Sequence, residues 1–393
     1  MNFPPHLELE GRMFVEDVFL ENVRNDLAQL VSHTEIEKGG DHFPWDPFVA
    51  KSMLQKGIRR AELQHAMTAT RFLLQVDERG FWRRLCVIAL EDIGVGNIPL
   101  VAQVLLAEKD RSLRRNLGGS EAVGSALVEA MCKSRKDRST DDLIDALASN
   151  DLKCRNAEVA EMTASERFDL ISASNSDVRH RAMAAILLST SPTPARRAND
   201  WSRILEHLPE EALSPCVKAT AQLGLQRTKS EMALHFALLS RDRPTVLTAT
   251  DDEFLPTIVV SGLPVWVLDG HTRLGLQAFR QYVKRSPRMT EYLGKLAAGS
   301  VSRAKAVAGL VFRTESHLLA NRIDWETGRQ LRLEACKNRP GLPSEAALEG
   351  LDIVRQEFDL VNECRADAAR SYLLAHNHPA LKSSIKRVVR GSR

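Results

Sequence analysis

The densest set of reactive side chains in the 393-residue chain falls in Val265-Trp266-Val267-Leu268-Asp269-Gly270-His271-Thr272-Arg273-Leu274-Gly275. A β-branched and aromatic run ends there, Asp-Gly turns the chain, and a helix is predicted from about Thr272. The start of a helix favours anions, because its free N–H groups and its dipole point at them. At such a junction His271 could serve as an acid–base group, with Asp269 orienting it and Arg273 clamping a phosphate or carboxylate. The same residues fit a plainer role, in which Asp269 or Thr272 caps the helix and His271 packs locally.

Three other segments carry charge in a pattern. A helix from Phe81 to about Ile93 contains Trp82-Arg83-Arg84-Leu85 and ends in Glu91-Asp92-Ile93-Gly94. Two carboxylates in its last turn oppose the macrodipole, so a cation such as Arg59, Arg60 or Arg84 must compensate. The expected role of Glu91, Asp92 and Arg84 is a structural ion-pair network, with a metal site or general acid as the alternative. In Lys133-Ser134-Arg135-Lys136-Asp137-Arg138, four of six residues are basic. Lys133, Arg135, Lys136 and Arg138 could hold a phosphate ahead of the next helix, or form a solvated loop. The segment from Lys382 to Arg393 has five basic residues and no acid. Lys386 and Arg387 there could meet nucleic-acid phosphates, or the segment could be a frayed end. His376 and His378 stand beside Pro379, a poor setting for a shared metal, and no metal or other cofactor is expected.

These segments need helices to position them. Ala, Leu, Arg and Glu recur throughout, and aromatics are only 5%, which favours a mainly α fold over long aromatic strands. Hydrophobic residues at 44% and charged ones at 27% exclude a wholly disordered chain. A net charge of +3 is too small to mark a nucleic-acid binder by itself, so distribution must decide. The six cysteines are scattered singly with no CxxC pair, which suits small core residues in a reducing cytoplasm. No basic-then-apolar leader is apparent, and 257–268 is too short and broken to span a bilayer.

Periodicity predicts helices near Val15–Leu30, Ala61–Val76, Phe81–Ile93, Pro99–Glu108 and Glu121–Cys132. Another starts near Ser139, where Ser139 and Asp142 have capping-box spacing. Gly39-Gly40 and Pro44-Trp45-Asp46-Pro47 read as a loop. A joint is expected at Asn150–Asn156 and a helix pair, weakly HEAT-like, at 165–188. Thr190–Pro194 is a candidate linker. Thr257–Val260 and Pro264–Leu268 are the convincing strands. Helices resume from Leu274, broken at Asn338–Pro343. The expected fold is a multi-helix bundle or irregular helical array with a small two-stranded β element near 257–268. Three regions are expected, at 1–150, 151–250 and 251–393.

Lys51-Ser52, Arg60-Ala61-Glu62, Ala66, Arg83-Arg84-Leu85, Glu91-Asp92-Ile93-Gly94 and Lys133-Ser134 follow one another in an order that carries a resemblance. It is similar to the helical C-terminal region of the replication-associated recombination AAA+ ATPases, the MgsA/RarA and Werner-helicase-interacting-protein group related to clamp loaders. The resemblance covers 48–147, a quarter of the chain. It implies a collar-like helical domain, oligomerisation and work at replication forks. The sequence contains no GxxxxGK[ST], so ATP hydrolysis is not carried over.

Two functions compete on these residues. The preferred one is a non-ATPase DNA-associated or complex-assembly protein, cytoplasmic, that meets DNA phosphates through basic loops and assembles with itself or protein partners, without a membrane. The other is a nuclease-like enzyme on a phosphate-containing substrate, centred on Asp269, His271 and Arg273. A protein-interaction scaffold without nucleic acid is a third reading.

Overall fold

The computed structural model describes residues 7–34, 45–147, 153–173, 175–189, 191–296, 302–337 and 344–375. The described residues form twenty α-helices and two short antiparallel strand pairs, a mainly α fold.

The N-terminal third contains α1 (Leu7–Ser32), α2 (Pro47–Arg59), α3 (Leu63–Val76), α4 (Glu78–Ile88), α5 (Ile98–Lys109), α6 (Arg111–Asn116), α7 (Gly119–Lys133) and α8 (Ser139–Leu147). Local chemistry fixes where these helices begin. Asp46 accepts the N–H groups of Phe48 and Val49, and Pro47 presets the first turn of α2. Asp77 caps α4 through the Gly80 N–H at 2.9 Å. Asn97 caps α5 through the Leu100 N–H at 3.1 Å. The capping box expected at Ser139 and Asp142 is not formed. Ser139 Oγ instead donates to Asp137 Oδ2 at 3.0 Å, and Asp142 turns away to His317.

The middle of the chain is a series of helix hairpins: α9 (Lys153–Glu161), α10 (Ala164–Ser172), α11 (Val178–Leu188), α12 (Pro194–His207), α13 (Pro215–Thr228) and α14 (Met232–Ser240). A full capping box, Thr163 with Glu166, starts α10. Beyond them come β1 (Ala249–Thr250), β2 (Val259–Val260), β3 (Leu263–Pro264), α15 (Arg273–Arg285), α16 (Pro287–Lys295), α17 (Arg303–Ser316), β4 (Arg322–Ile323), α18 (Glu326–Lys337), α19 (Ser344–Gln356) and α20 (Phe358–Ala375).

The expected hairpin is present, with Val259 opposite Pro264 and Val260 opposite Leu263. It is shorter than expected, because Val265–Val267 winds into a 3₁₀ turn. A second pair joins β1 to β4, with Ala249 opposite Ile323. The largest buried cluster runs from Leu27 through α2–α5, α7, α8, α13 and α14 to Leu263–Leu268 and Leu373 of α20. It is continuous across positions 150 and 250. A second cluster unites α15, α16, α17, α19 and α20. Among the described residues, no helix is long and apolar enough to cross a membrane.

Two buried histidines contact α8 and give the fold a pH signature. His235 of α14 places Nδ1 3.3 Å from the Thr140 carbonyl, and burial pushes it down to about 4. His317 stands against Asp142; burial works to lower it, but the carboxylate more than reverses this and holds it up at about 9. A depressed histidine weakens the fold as pH falls through the gap between its unfolded and folded values. A raised one contributes fully below its unfolded value and is lost as pH rises through its folded value. Chemical unfolding of His235→Gln is therefore expected to lose the wild-type slope between about pH 6.5 and 4. The deficit of His317→Gln is expected to shrink by on the order of 3 kcal/mol between about pH 6.5 and 9.

Candidate functional site

A cavity of about 460 Å³ lies between α2, α4, α8, α17 and the loop before α15. One face of α2 supplies half its wall. Phe48, Lys51, Ser52, Gln55, Lys56 and Arg59 recur at helical spacing and all line it. Arg84, Glu91, Asp141, Asp269, His271 and Phe312 complete the lining.

The helix that carries Arg84 does not run on regularly. Ala89–Ile93 forms a π turn, a device often found at functional sites, and Gly94–Gly96 a 3₁₀ turn. Glu91 is left on the cavity wall and Asp92 fully buried. Gly94 has φ +48°, and a Cβ there would stand 2.6 Å from the Asp137 carbonyl oxygen, so only glycine lets the turn dock.

Two buried ion clusters underlie the cavity. In the first, Arg59 Nε is 3.0 Å from Asp92 Oδ1, and Arg138 Nη1 is 2.8 Å from Glu91 Oε1. Arg138 also pairs with Asp92 and Asp141. Gln55 Nε2 donates to Asp92 Oδ2 at 2.8 Å, and its carbonyl oxygen accepts from Arg84. Burial pushes the Glu91 carboxyl up, and Arg138 offsets this only in part. Burial acts on Asp92 in the same sense, but Arg59 and Arg138 together hold it below the ordinary carboxylate range.

The second cluster fixes the Asp269 loop. Lys56 Nζ lies 3.2 Å from Asp269 Oδ2 and 3.9 Å from Glu315 Oε2. Ser52 Oγ is 2.7 Å from the Val267 carbonyl and 3.0 Å from Asp269 Oδ2, and its single proton serves one at a time. Arg365 grips Glu315 with two bonds, at 3.0 and 2.7 Å, and donates to the Leu268 carbonyl at 2.9 Å. Burial pushes the Lys56 ammonium down, and its two carboxylate partners restore only part of the loss. Burial would raise Asp269, but Lys56 and His271 outweigh it and keep the carboxyl low.

The expected Asp269–His271–Arg273 unit is rearranged. Asp269 and His271 do line the cavity, but Asp269 Oδ1 accepts the backbone N–H of His271 at 2.9 Å, not its ring. The ring instead meets Phe312 edge-on, with centroids 6.0 Å apart. Arg273 is exposed and outside the cavity lining. Thr272 caps α15 by accepting the Gly275 N–H at 3.0 Å. The loop is thus a helix cap whose carboxylate is held by Lys56 of α2.

The basic segment 133–138 also needs correction. Lys136 and Arg138 are buried, Lys136 donating to the Cys132 and Ser134 carbonyls at 2.8 and 3.0 Å. Neither can reach an external phosphate. Lys133 and Arg135 are exposed, and Lys133 pairs with Glu129 one turn away. Lys386, Arg387 and the His376-x-His378 pair lie outside the described residues. Glu91 and Asp92 are ion-paired, by Arg59 and Arg138; Arg84 reaches them only through Gln55.

Sequence reasoning missed the α2 face, Phe312, and Arg138 as the second compensating cation. The readable signal in α2 is that polar residues 51, 52, 55, 56 and 59 keep helical spacing beside the buried Val49, Met53, Leu54 and Ile58. A second recess of about 340 Å³ shares Lys51 and Arg84 with the cavity and adds the exposed Arg79 and Arg83. Among the described residues, no group of three or more His, Cys, Asp or Glu side chains is placed to hold a metal ion. Comparison with protein-family models, curated proteins and solved structures finds no match to this chain, so the reading of the site rests on its own geometry.

Proposed function

We propose that this chain is a nucleic-acid-associated protein without an ATPase engine, and that the α2–α4 cavity receives a phosphate-bearing ligand, a nucleotide or a strand end. One observation carries the reading. Among the described residues, Arg84 on the cavity wall has no carboxylate within ion-pair distance, and its Nε is buried without a hydrogen-bond partner. A guanidinium fork in that state suits a phosphate, which accepts paired N–H bonds. Phe48, 68% exposed, lines the same cavity, as do Phe312 and His271. These rings suit a base, and Arg79 and Arg83 suit the backbone that would follow it. The resemblance to the recombination ATPases supports the same reading, since Lys51-Ser52, Arg84 and Glu91, which carry it, line one cavity. Assembly with itself or protein partners through the helical surface belongs to the same proposal.

Fluorescence anisotropy with a 5′-phosphorylated single-stranded oligonucleotide tests it. Arg79→Glu with Arg83→Glu is expected to weaken binding and to lower the slope of affinity against salt by about one for each phosphate no longer neutralised. Lys133→Glu with Arg135→Glu is expected to do much less. Equal effects of the two pairs would remove the assignment.

A specific observation favours a second reading, an enzyme on a phosphate-containing substrate. Glu91 and Asp269 face one cavity with their carboxyl groups displaced in opposite directions, up and down, an arrangement suited to an acid and a charged partner. The same oligonucleotide separates the readings: the first returns it intact, the second cleaves it.

A further inference from the structure

A second polar centre lies outside the cavity, where α8, α17 and α18 meet. His317 closes the C-terminal end of α17 and is 7% exposed. Its Nδ1 stands 3.3 Å from Asp142 Oδ1 of α8. Neither ring nitrogen makes an aligned hydrogen bond among the described residues. The other polar neighbour of the ring is the sulfur of Cys336, in the last turn of α18. Cys336 is a free, half-buried thiol. The imidazole is therefore held between a carboxylate and a thiol.

We propose that Cys336 is a modification site, a thiol activated by His317 and Asp142 that reacts with hydroperoxides. The order of groups explains why. Asp142 keeps the imidazole charged, and the imidazolium in turn favours the thiolate, which is the nucleophilic form. The Asp142 charge by itself opposes the thiolate, and the cations around it offset this. Arg313 of α17, paired with Asp145 of α8, adds positive potential near the sulfur, and Arg138 and Arg322 face Asp142. Burial works to raise the Cys336 thiol, but contact with His317 more than reverses this and holds it below the ordinary thiol value. Burial instead pushes Cys86, Cys132, Cys216 and Cys364 up.

In the reaction with hydrogen peroxide, the thiolate sulfur attacks one oxygen, an S–O bond forms and the O–O bond breaks. Sulfur is oxidised by two electrons to sulfenic acid, and the peroxide is reduced. The departing hydroxide takes the imidazolium proton and leaves as water. A thiol can reverse the change through a mixed disulfide.

The test uses the full chain, with Cys216, another half-buried thiol, as the internal standard. Peptide mass spectrometry follows iodoacetamide labelling from about pH 5 to 10. At neutral pH Cys336 is expected to react about tenfold or more faster than Cys216, with its rate levelling below the ordinary thiol midpoint of about 8.5. Hydrogen peroxide is expected to leave a dimedone-trapped sulfenic acid at Cys336, and His317→Gln to return the labelling profile to the ordinary range. A Cys336 rate no faster than that of Cys216, or one still rising beyond about pH 9, overturns the proposal. Both are read on the wild-type protein, so no variant has to fold.

Discussion

Asp92→Asn is expected to destabilise the protein by about 3–5 kcal/mol, the cost of breaking a buried ion pair from one side. The asparagine keeps the shape and can still accept from Gln55. It removes the charge that stands between Arg59 and Arg138, both buried. Glu91 offsets only part of that loss: it stands 2.8 Å from Arg138 but 3.6 Å from Arg59. Urea unfolding followed by circular dichroism measures the loss. A value under about 1 kcal/mol would mean that water reaches the cluster and that the charges under the cavity are not fixed by the fold.

Arg84→Ala carries the second large effect, on binding. It is expected to weaken a nucleoside 5′-monophosphate about 10- to 100-fold, the worth of a hydrogen-bonded charge pair. The melting temperature is expected to change little, because Arg84 meets the buried cluster only through Gln55. Lys51→Ala should cost less affinity, since Lys51 Nζ is already engaged by Asp77 at 2.7 Å. A large drop in melting temperature without a change in affinity would make Arg84 a structural residue.

The helical character of the fold is legible wherever the signal is local. Pro47 after Asp46, Asp77 before α4 and Thr272 before α15 are start signals written within a few residues, and the structure uses each. The hairpin at β2–β3 is legible because its strands adjoin. The β1–β4 pair is not, because each partner has two residues and 72 positions separate Thr250 from Arg322 in the chain.

The site is half legible for the same physical reason. Reactive side chains at Asp269 and His271, and carboxylates at Glu91 and Asp92, are visible as residue types. Their partners depend on long-range packing. The burial of Lys136 is settled by Asn321 and Ile323, whose backbones bond it at 2.9 and 3.0 Å. No local pattern in 133–138 carries that pairing, so a buried brace reads as a basic loop. Lys56, likewise, becomes the partner of Asp269 only once α2 packs against the 3₁₀ turn at Val265–Val267.

Isothermal titration calorimetry with a nucleoside 5′-monophosphate and with its parent nucleoside asks most directly whether the cavity under Arg84 is a phosphate site. The phosphorylated compound should bind, the nucleoside should bind at least about tenfold more weakly, and Arg84→Ala should erase the difference. Equal affinity for the two compounds, or a phosphate preference that survives in Arg84→Ala, would contradict the account.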